Sequence, residues 1–101
     1  MSEHHRLDEL LPALADPVRR RAVAALATGA RRAGELAAAT GVSPAAMSRH
    51  LRILLAAGLV DDERSVADAR VRLFFLRREP LEELSAWLGA VVAGEPWPAE
   101  E

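Results

Sequence analysis

The chain contains no cysteine. That absence removes disulfides, thiolate metal sites, cysteine nucleophiles and thiol redox sensing together. No apolar run approaches the roughly 18 residues that a membrane-spanning helix needs. The N-terminus, MSEHHRLDELLP, has no basic region followed by an apolar one, so it does not read as a secretory signal. These absences place the expected site of action in the cytoplasm. There is no glycine-rich phosphate loop. Lysine is missing too, and all thirteen basic residues are arginine. Arginine suits bidentate contacts to phosphate and guanine. A coding preference for arginine explains the missing lysines equally well.

What remains is enough for one domain with a modest core, because half of the 101 residues are apolar. Domains this small often gain stability by pairing. The formal net charge of −2 hides a strong separation. Residues 1–16 carry one arginine against four acids, a local charge of −3. Residues 17–78 carry twelve arginines against five acids, a local charge of +7. Residues 79–101 carry six glutamates and no base, a local charge of −6. A basic middle between acidic ends is expected when only the middle meets a polyanion.

Leu7, Leu10, Leu11 and Leu14 recur at i, i+3, i+4 and i+7, which predicts a first helix over about 7–15. Asp16-Pro17 punctuates it. Asp16 is suited to cap a second helix, and Pro17 to occupy its first turn, where a missing N–H costs nothing. That helix, about 17–28, is expected to bury Val18, Ala22, Ala25 and Leu26 and to stop at Gly29. A short third helix, about 33–39, breaks at Thr40-Gly41-Val42. Ser43-Pro44 repeats the cap-plus-proline device and starts a fourth helix that runs to about Ala57 before Gly58. Two helices joined by a tight glycine-containing turn, over about 33–57, describe a helix-turn-helix.

On a wheel of about 100° per residue, Leu51, Leu54 and Leu55 lie within about 80° of Met47 and form a buried stripe. Ala45, Arg49, Arg52 and Ala56 lie opposite, with Ser48 on a flank. A solvated helix usually mixes acids and bases at i, i+4. This one has no acid between Ser43 and Val60. Small residues and arginines on an acid-free outer face fit a helix that enters a DNA groove. His50 sits near the apolar stripe and reads first as a packed or hydrogen-bonded orienting residue.

From Leu59 the period changes. Residues 59–77 predict a two-stranded hairpin with its tip near 65–69, and Arg64, Arg70 and Arg72 flank that tip. The tip lacks glycine, so its turn type is open. Leu73-Phe74-Phe75-Leu76 breaks the alternation, as though both faces were covered. A basic hairpin beside a helix-turn-helix is a wing that follows phosphates or the minor groove. Pro80 is expected to open a fifth helix, about 80–93, with Leu81, Leu84, Leu88 and Val91 in a stripe and Trp87 beside it. That surface exceeds what one small core requires. Pairing with the first helix's leucines across a dimer is the preferred reading. The tail GEPWPAEE is expected to fray.

Other chemistry finds little support. His4 and His5 are adjacent rather than spaced for one metal face. Arg19, Arg20 and Arg21 spread over about 200° of helix and read as a solvated flank. Asp61-Asp62-Glu63 reads as a solvated strand start. Ser48 and His50 point about 200° apart and are no catalytic pair. No enzyme, metal site or cofactor is expected.

Taken together, DPVRRRAVAAL, RRAGELAAATGVSPAAMSRHLRILLAAGLV, DARVRLFFL and EPLEELSAWL resemble the ArsR/SmtB family of bacterial winged-helix repressors over about residues 7–93. Ser48-Arg49-His50-Leu51, with Leu54 and the Ala-Gly-Leu-Val of 57–60, is the most specific part. The resemblance implies a mainly α fold of five helices with a small β-hairpin wing. It also implies a homodimer joined through its first and last helices, and dissociable binding to operator DNA. Ser48, Arg49, His50 and Arg52 would lie on the recognition helix, with Arg70 and Arg72 near the wing. The family's metal sensors carry a cysteine motif at the start of the third helix, and here that region reads Arg31-Arg32-Ala33-Gly34-Glu35-Leu36-Ala37. Other members use Asp, His and Glu on the last helix, which here offers only Glu79, Glu82 and Glu83. The wing has Asp68-Ala69-Arg70 where glycine is common, and Phe74 stands where tyrosine is frequent.

The expectation is therefore a homodimeric regulator, a repressor of double-stranded operator DNA that reads an inverted repeat. Its contact set is Ser43, Pro44, Ala45, Ser48, Arg49, His50, Arg52, Arg64, Arg70 and Arg72. Its dimer set is Leu7, Leu10, Leu11, Leu14, Leu81, Leu84, Trp87, Leu88 and Val91. A winged helix serving only as an interaction module, for instance ahead of a methyltransferase domain, is the competing class. Against it stands a chain that ends at residue 101. A MarR-like regulator with a small-molecule effector is a second alternative. The sequence names no effector and predicts no membrane partner.

Overall fold

The computed structural model describes residues 3–96. Helix α1 spans Glu3–Leu14, α2 Pro17–Leu26, α3 Ala33–Thr40 and α4 Pro44–Ala56. Strands β1, Val60–Arg64, and β2, Arg72–Leu76, follow, and α5, Arg78–Ala93, closes the order. The α1 helix begins before the expected residue 7, and Pro12 falls in its last turn, two residues before it ends. His4 and His5 lie among residues whose side chains are outside the described set.

Both cap-plus-proline devices form. The Val18 and Arg19 amides donate to Asp16 Oδ1 at 2.7 and 3.3 Å. Ser43 Oγ accepts from the Ala46 amide at 3.1 Å. Each satisfies N–H groups that a helix start leaves open. The α3–α4 turn depends on Gly41, whose φ of 75° is left-handed. A Cβ there would meet no atom within 4 Å, so conformation rather than space selects glycine. Thr40, the buried polar residue of this turn, donates from Oγ1 to the Leu36 carbonyl at 2.7 Å. The α5 helix begins at Arg78, two residues before Pro80, so the proline sits inside the first turn, where it is tolerated. Gly94 ends it at φ 73°, and residues 97–101 of the expected frayed tail lie outside the described stretch.

The core gathers Leu10 and Leu26, Leu36, Met47, Leu54 and Leu59, all without appreciable exposure. Fully burying a leucine or methionine contributes about 1.5–3 kcal/mol. Within α2 the buried side chains are Ala22, Val23 and Leu26, while Val18 and Ala25 are half-buried. Val23 was not expected inside.

The hairpin is antiparallel, with Val60 opposite Leu76 and Arg64 opposite Arg72. On β2 only Phe74 is buried; Leu73, Phe75 and Leu76 are half-buried. One feature of the sheet had no sequence signature. Arg31, between α2 and α3, exchanges two backbone hydrogen bonds with Phe74, its amide to the Phe74 carbonyl at 3.0 Å and the reverse at 2.8 Å. This third rung fastens the wing to the helix-turn-helix.

Candidate nucleic-acid interface

Helix α4 is fixed from beneath by Met47, Leu51 and Leu54, all buried. Ala45, Ser48, Arg49 and Arg52 are exposed on its other side. Among the described residues, the side chains of Ser48, Arg49 and Arg52 have neither a hydrogen-bond nor an ion-pair partner. Their polar groups are available to something outside the chain. Ser43 and Pro44 stand exposed at the start of the same helix.

His50 is half-buried on the flank and is held there. Arg19 Nη1 lies 3.1 Å from His50 Nδ1. A guanidinium has donors only, so Nδ1 must accept and the ring proton must reside on Nε2. Arg19 also donates from Nε to the Ala13 carbonyl at 2.6 Å and from Nη2 to the Pro12 carbonyl at 3.3 Å. Arg20 Nη1 donates to the Leu14 and Ala15 carbonyls at 2.8 and 3.1 Å. The expected solvated flank is thus corrected for two of its three arginines. They fold back over the C-terminal end of α1, where helix carbonyls lack partners and positive charge is favoured. Arg19 continues the link to the recognition helix. The sequence signal was there: two bases four and five residues beyond a predicted helix end. Nearby, partial burial pushes the Asp16 carboxyl up. The amide hydrogen bonds from Arg19 and Val18, with the charge of the Arg19 guanidinium, outweigh this and hold it below the usual carboxylate value.

The wing tip turns without glycine and without any residue at positive φ. Asp68 Oδ1 accepts from the Arg70 amide at 3.0 Å, and Ser65 Oγ accepts from the Ala67 amide at 3.2 Å. These short side-chain turns replace what glycine supplies elsewhere. Arg70 also grips Asp68 with its guanidinium, Nη2 to Oδ2 at 3.1 Å. The side-chain and amide hydrogen bonds from Arg70 hold the Asp68 carboxyl below its usual value. Arg72 forms an ion pair with Asp62 and lies 4.7 Å from the centre of the Phe74 ring. Asp61 pairs with Arg77 at 3.3 Å. Two acids of the stretch expected to be solvated, Asp61 and Asp62, therefore pair with arginines, while Glu63 is exposed. Of the three wing arginines, only Arg64 lacks a side-chain partner among the described residues.

The candidate dimer set divides. Leu7 and Leu10 are buried in this chain's own core, and Leu14, Leu81, Leu84 and Trp87 pack half-buried against it. Surface remains at Leu11, Leu88, Val91 and Val92, exposed by 44%, 47%, 54% and 87%. Val92, outside the expected set, is part of this exposed surface, while Leu7 and Leu10 have almost none. Arg6 spans α1 and α5, 3.5 Å from Glu83. Among the described residues no three or more His, Cys, Asp or Glu side chains gather as a metal site. No helix there is long and apolar enough to cross a membrane.

A capped helix-turn-helix, a hairpin fastened beside it and outward arginines on the second helix define a winged-helix regulator. The model of the bacterial regulatory protein, arsR family, matches residues 16–62. A solved structure of a possible transcriptional regulator for arsenical resistance is 33% identical, covers 86% of this chain and 96% of its own, and superposes with a TM-score of 0.68. An ArsR family transcriptional regulator, 27% identical, covers 89% of this chain and 90% of its own, with a TM-score of 0.76. The homodimeric winged helix-turn-helix DNA-binding domain of Mb0332 from Mycobacterium bovis is 26% identical, covers 89% and 81%, and has a TM-score of 0.69. No curated protein matches significantly. The chain belongs to the ArsR family of transcriptional regulators.

Proposed function

We propose that this chain is a homodimeric, sequence-specific repressor of double-stranded operator DNA, working in the cytoplasm and carrying out no catalysis. The observation that carries the reading is the outer face of α4, where Ser48, Arg49 and Arg52 are exposed, unpartnered among the described residues and free of neighbouring acids. Helices α3 and α4 form the reading unit, and the β1–β2 hairpin lies alongside as the wing. The apolar strip of Leu11, Leu88, Val91 and Val92 on α1 and α5 is the surface a second copy would cover. The homodimeric relative supports that pairing. A two-fold dimer would set its recognition helices about 34–36 Å apart, one turn of B-DNA.

A fluorescence titration against random and inverted-repeat duplexes tests the reading. Binding that strengthens at low salt and prefers one inverted repeat is the expected result. Arg49→Ala should relax base preference by about 1–3 kcal/mol at one position. No binding at low salt would overturn the assignment.

A further inference from the structure

The recognition helix and the wing do not close against each other. Between them lies a cavity of about 300 Å³ lined by Ala33, Ser48, Leu51, Arg52, Leu55, Arg72 and Phe74. That volume is at the lower end of small-molecule sites. Its chemistry is divided. Half-buried Leu55 and Ala33 supply the accessible apolar wall, over a floor formed by Leu51 and Phe74, which are only 2% and 3% exposed. Ser48 and Arg52 supply a hydroxyl and a guanidinium with no partner among the described residues. Arg72 is already neutralised by Asp62, so the lining offers one uncompensated positive charge and no carboxylate of its own.

We propose that this cleft binds a small organic monoanion, a carboxylate carried on a flat apolar body. Arg52 and Ser48 hold the carboxylate, in the forked geometry guanidinium and carboxylate share. Leu55 and Ala33, above the floor of Leu51 and Phe74, cover the apolar body. A bare phosphate or a DNA phosphodiester uses the cation and leaves the half-buried Leu55 and Ala33 uncovered, so the lining as a whole fits neither. Because Ser48 and Arg52 belong to the proposed reading face, the bound anion and DNA exclude one another. That second clause rests on the DNA-binding reading; the site itself does not.

The two parts are tested separately with the full chain. First, 2-naphthoate is titrated without DNA while backbone amide shifts are followed by NMR. Saturable shifts at Ser48, Leu55 and Phe74 are expected. The neutral 2-naphthamide should bind at least about tenfold more weakly, as should 2-naphthoate to Arg52→Ala. Inorganic phosphate at matched ionic strength should not compete. Arg52 is exposed, so its loss leaves the fold intact, and the dispersion of the NMR spectrum verifies this. No saturation at millimolar ligand, equal binding of acid and amide, or unchanged binding to Arg52→Ala would overturn the site. Second, 2-naphthoate should displace a fluorescent random-sequence duplex bound at low salt. A duplex that binds but resists a saturating ligand would overturn the exclusion. A duplex that never binds overturns the DNA reading, while the shift titration still decides the site.

Discussion

Replacing Arg19 with methionine keeps an unbranched stem and removes the guanidinium with its donors. Three hydrogen bonds disappear: to the Ala13 carbonyl at 2.6 Å, to His50 Nδ1 at 3.1 Å and to the Pro12 carbonyl at 3.3 Å. A hydrogen bond with a charged partner contributes a net of about 1.5–3 kcal/mol when well formed. The third bond is long and exposed and contributes little. The first two are half-buried, which puts each at or below the lower end of that range. The expected loss is about 2 kcal/mol, or roughly 8–16 °C in Tm for a domain of this size. Function should suffer as well, because the same contacts hold the flank of α4 against the end of α1. DNA affinity should fall, although Arg19 is not among the proposed DNA contacts. The 15N shifts of the His50 ring should report Nδ1 as the unprotonated nitrogen in the parent protein and lose that bias in the variant. Lysine at the position retains the charge but not the fork, and it should recover little of the stability. A Tm within the error of the parent, or an Nδ1-protonated His50 in the parent, would refute the linkage.

Asp62→Asn should release Arg72 and remove a negative charge from the wing; low-salt DNA affinity should rise severalfold, and the slope of log K against log salt should steepen by up to about 1 per protomer. The depressed Asp16 and Asp68 carboxyls contribute stability that is present above the ordinary carboxylate pKa of about 3.9 and is lost as pH falls through their lower folded values. Thermal melts across acid pH should show that loss, and Asp16→Asn, which still caps a helix, should flatten it. Leu54→Ala empties a site with no exposed surface and should cost about 2–5 kcal/mol, read from a urea midpoint.

How much of this was legible beforehand depended on whether a signal was local. Asp16-Pro17 and Ser43-Pro44 announce helix starts because capping involves only the next three residues, and both formed as expected. The buried stripe of α4 followed from its period, since one face of one helix needs no knowledge of its neighbours. The misses were non-local. Nothing in Arg31 announces that its backbone will meet Phe74, 43 residues on. The leucines of α1 recur on one stripe, but periodicity cannot divide that stripe between this chain's core and a partner. Leu7 and Leu10 went inward, and Leu11 stayed out. The arginine partners of Asp61 and Asp62 were hidden for the same reason. A hairpin register puts Asp62 beside Arg72 only once the turn is known, and the turn was made by Asp68 and Ser65 rather than by a recognisable glycine.

The excess of +7 over residues 17–78 led toward DNA, but the structure redistributes it. Arg19 and Arg20 serve the end of α1, and Arg78 Nη2 donates to the Ala27 carbonyl at 2.9 Å. Arg31 Nη2 donates to Thr28 Oγ1 at 2.8 Å, while Arg70, Arg72 and Arg77 face carboxylates. On α4 and the wing, the guanidiniums without a partner among the described residues are those of Arg49, Arg52 and Arg64. Regional charge alone therefore does not mark the proposed DNA face: seven of the twelve arginines have side-chain partners, Arg21 and Arg32 lie elsewhere without one among the described residues, and on α4 and the wing only Arg49, Arg52 and Arg64 remain. If those three meet phosphates in both halves of a dimer, about six counterions are released and the salt slope lies near −5. A count of all twelve arginines would demand a slope several-fold steeper. A slope that steep would mean that the internal ion pairs open on DNA and that the wing is rebuilt when it binds.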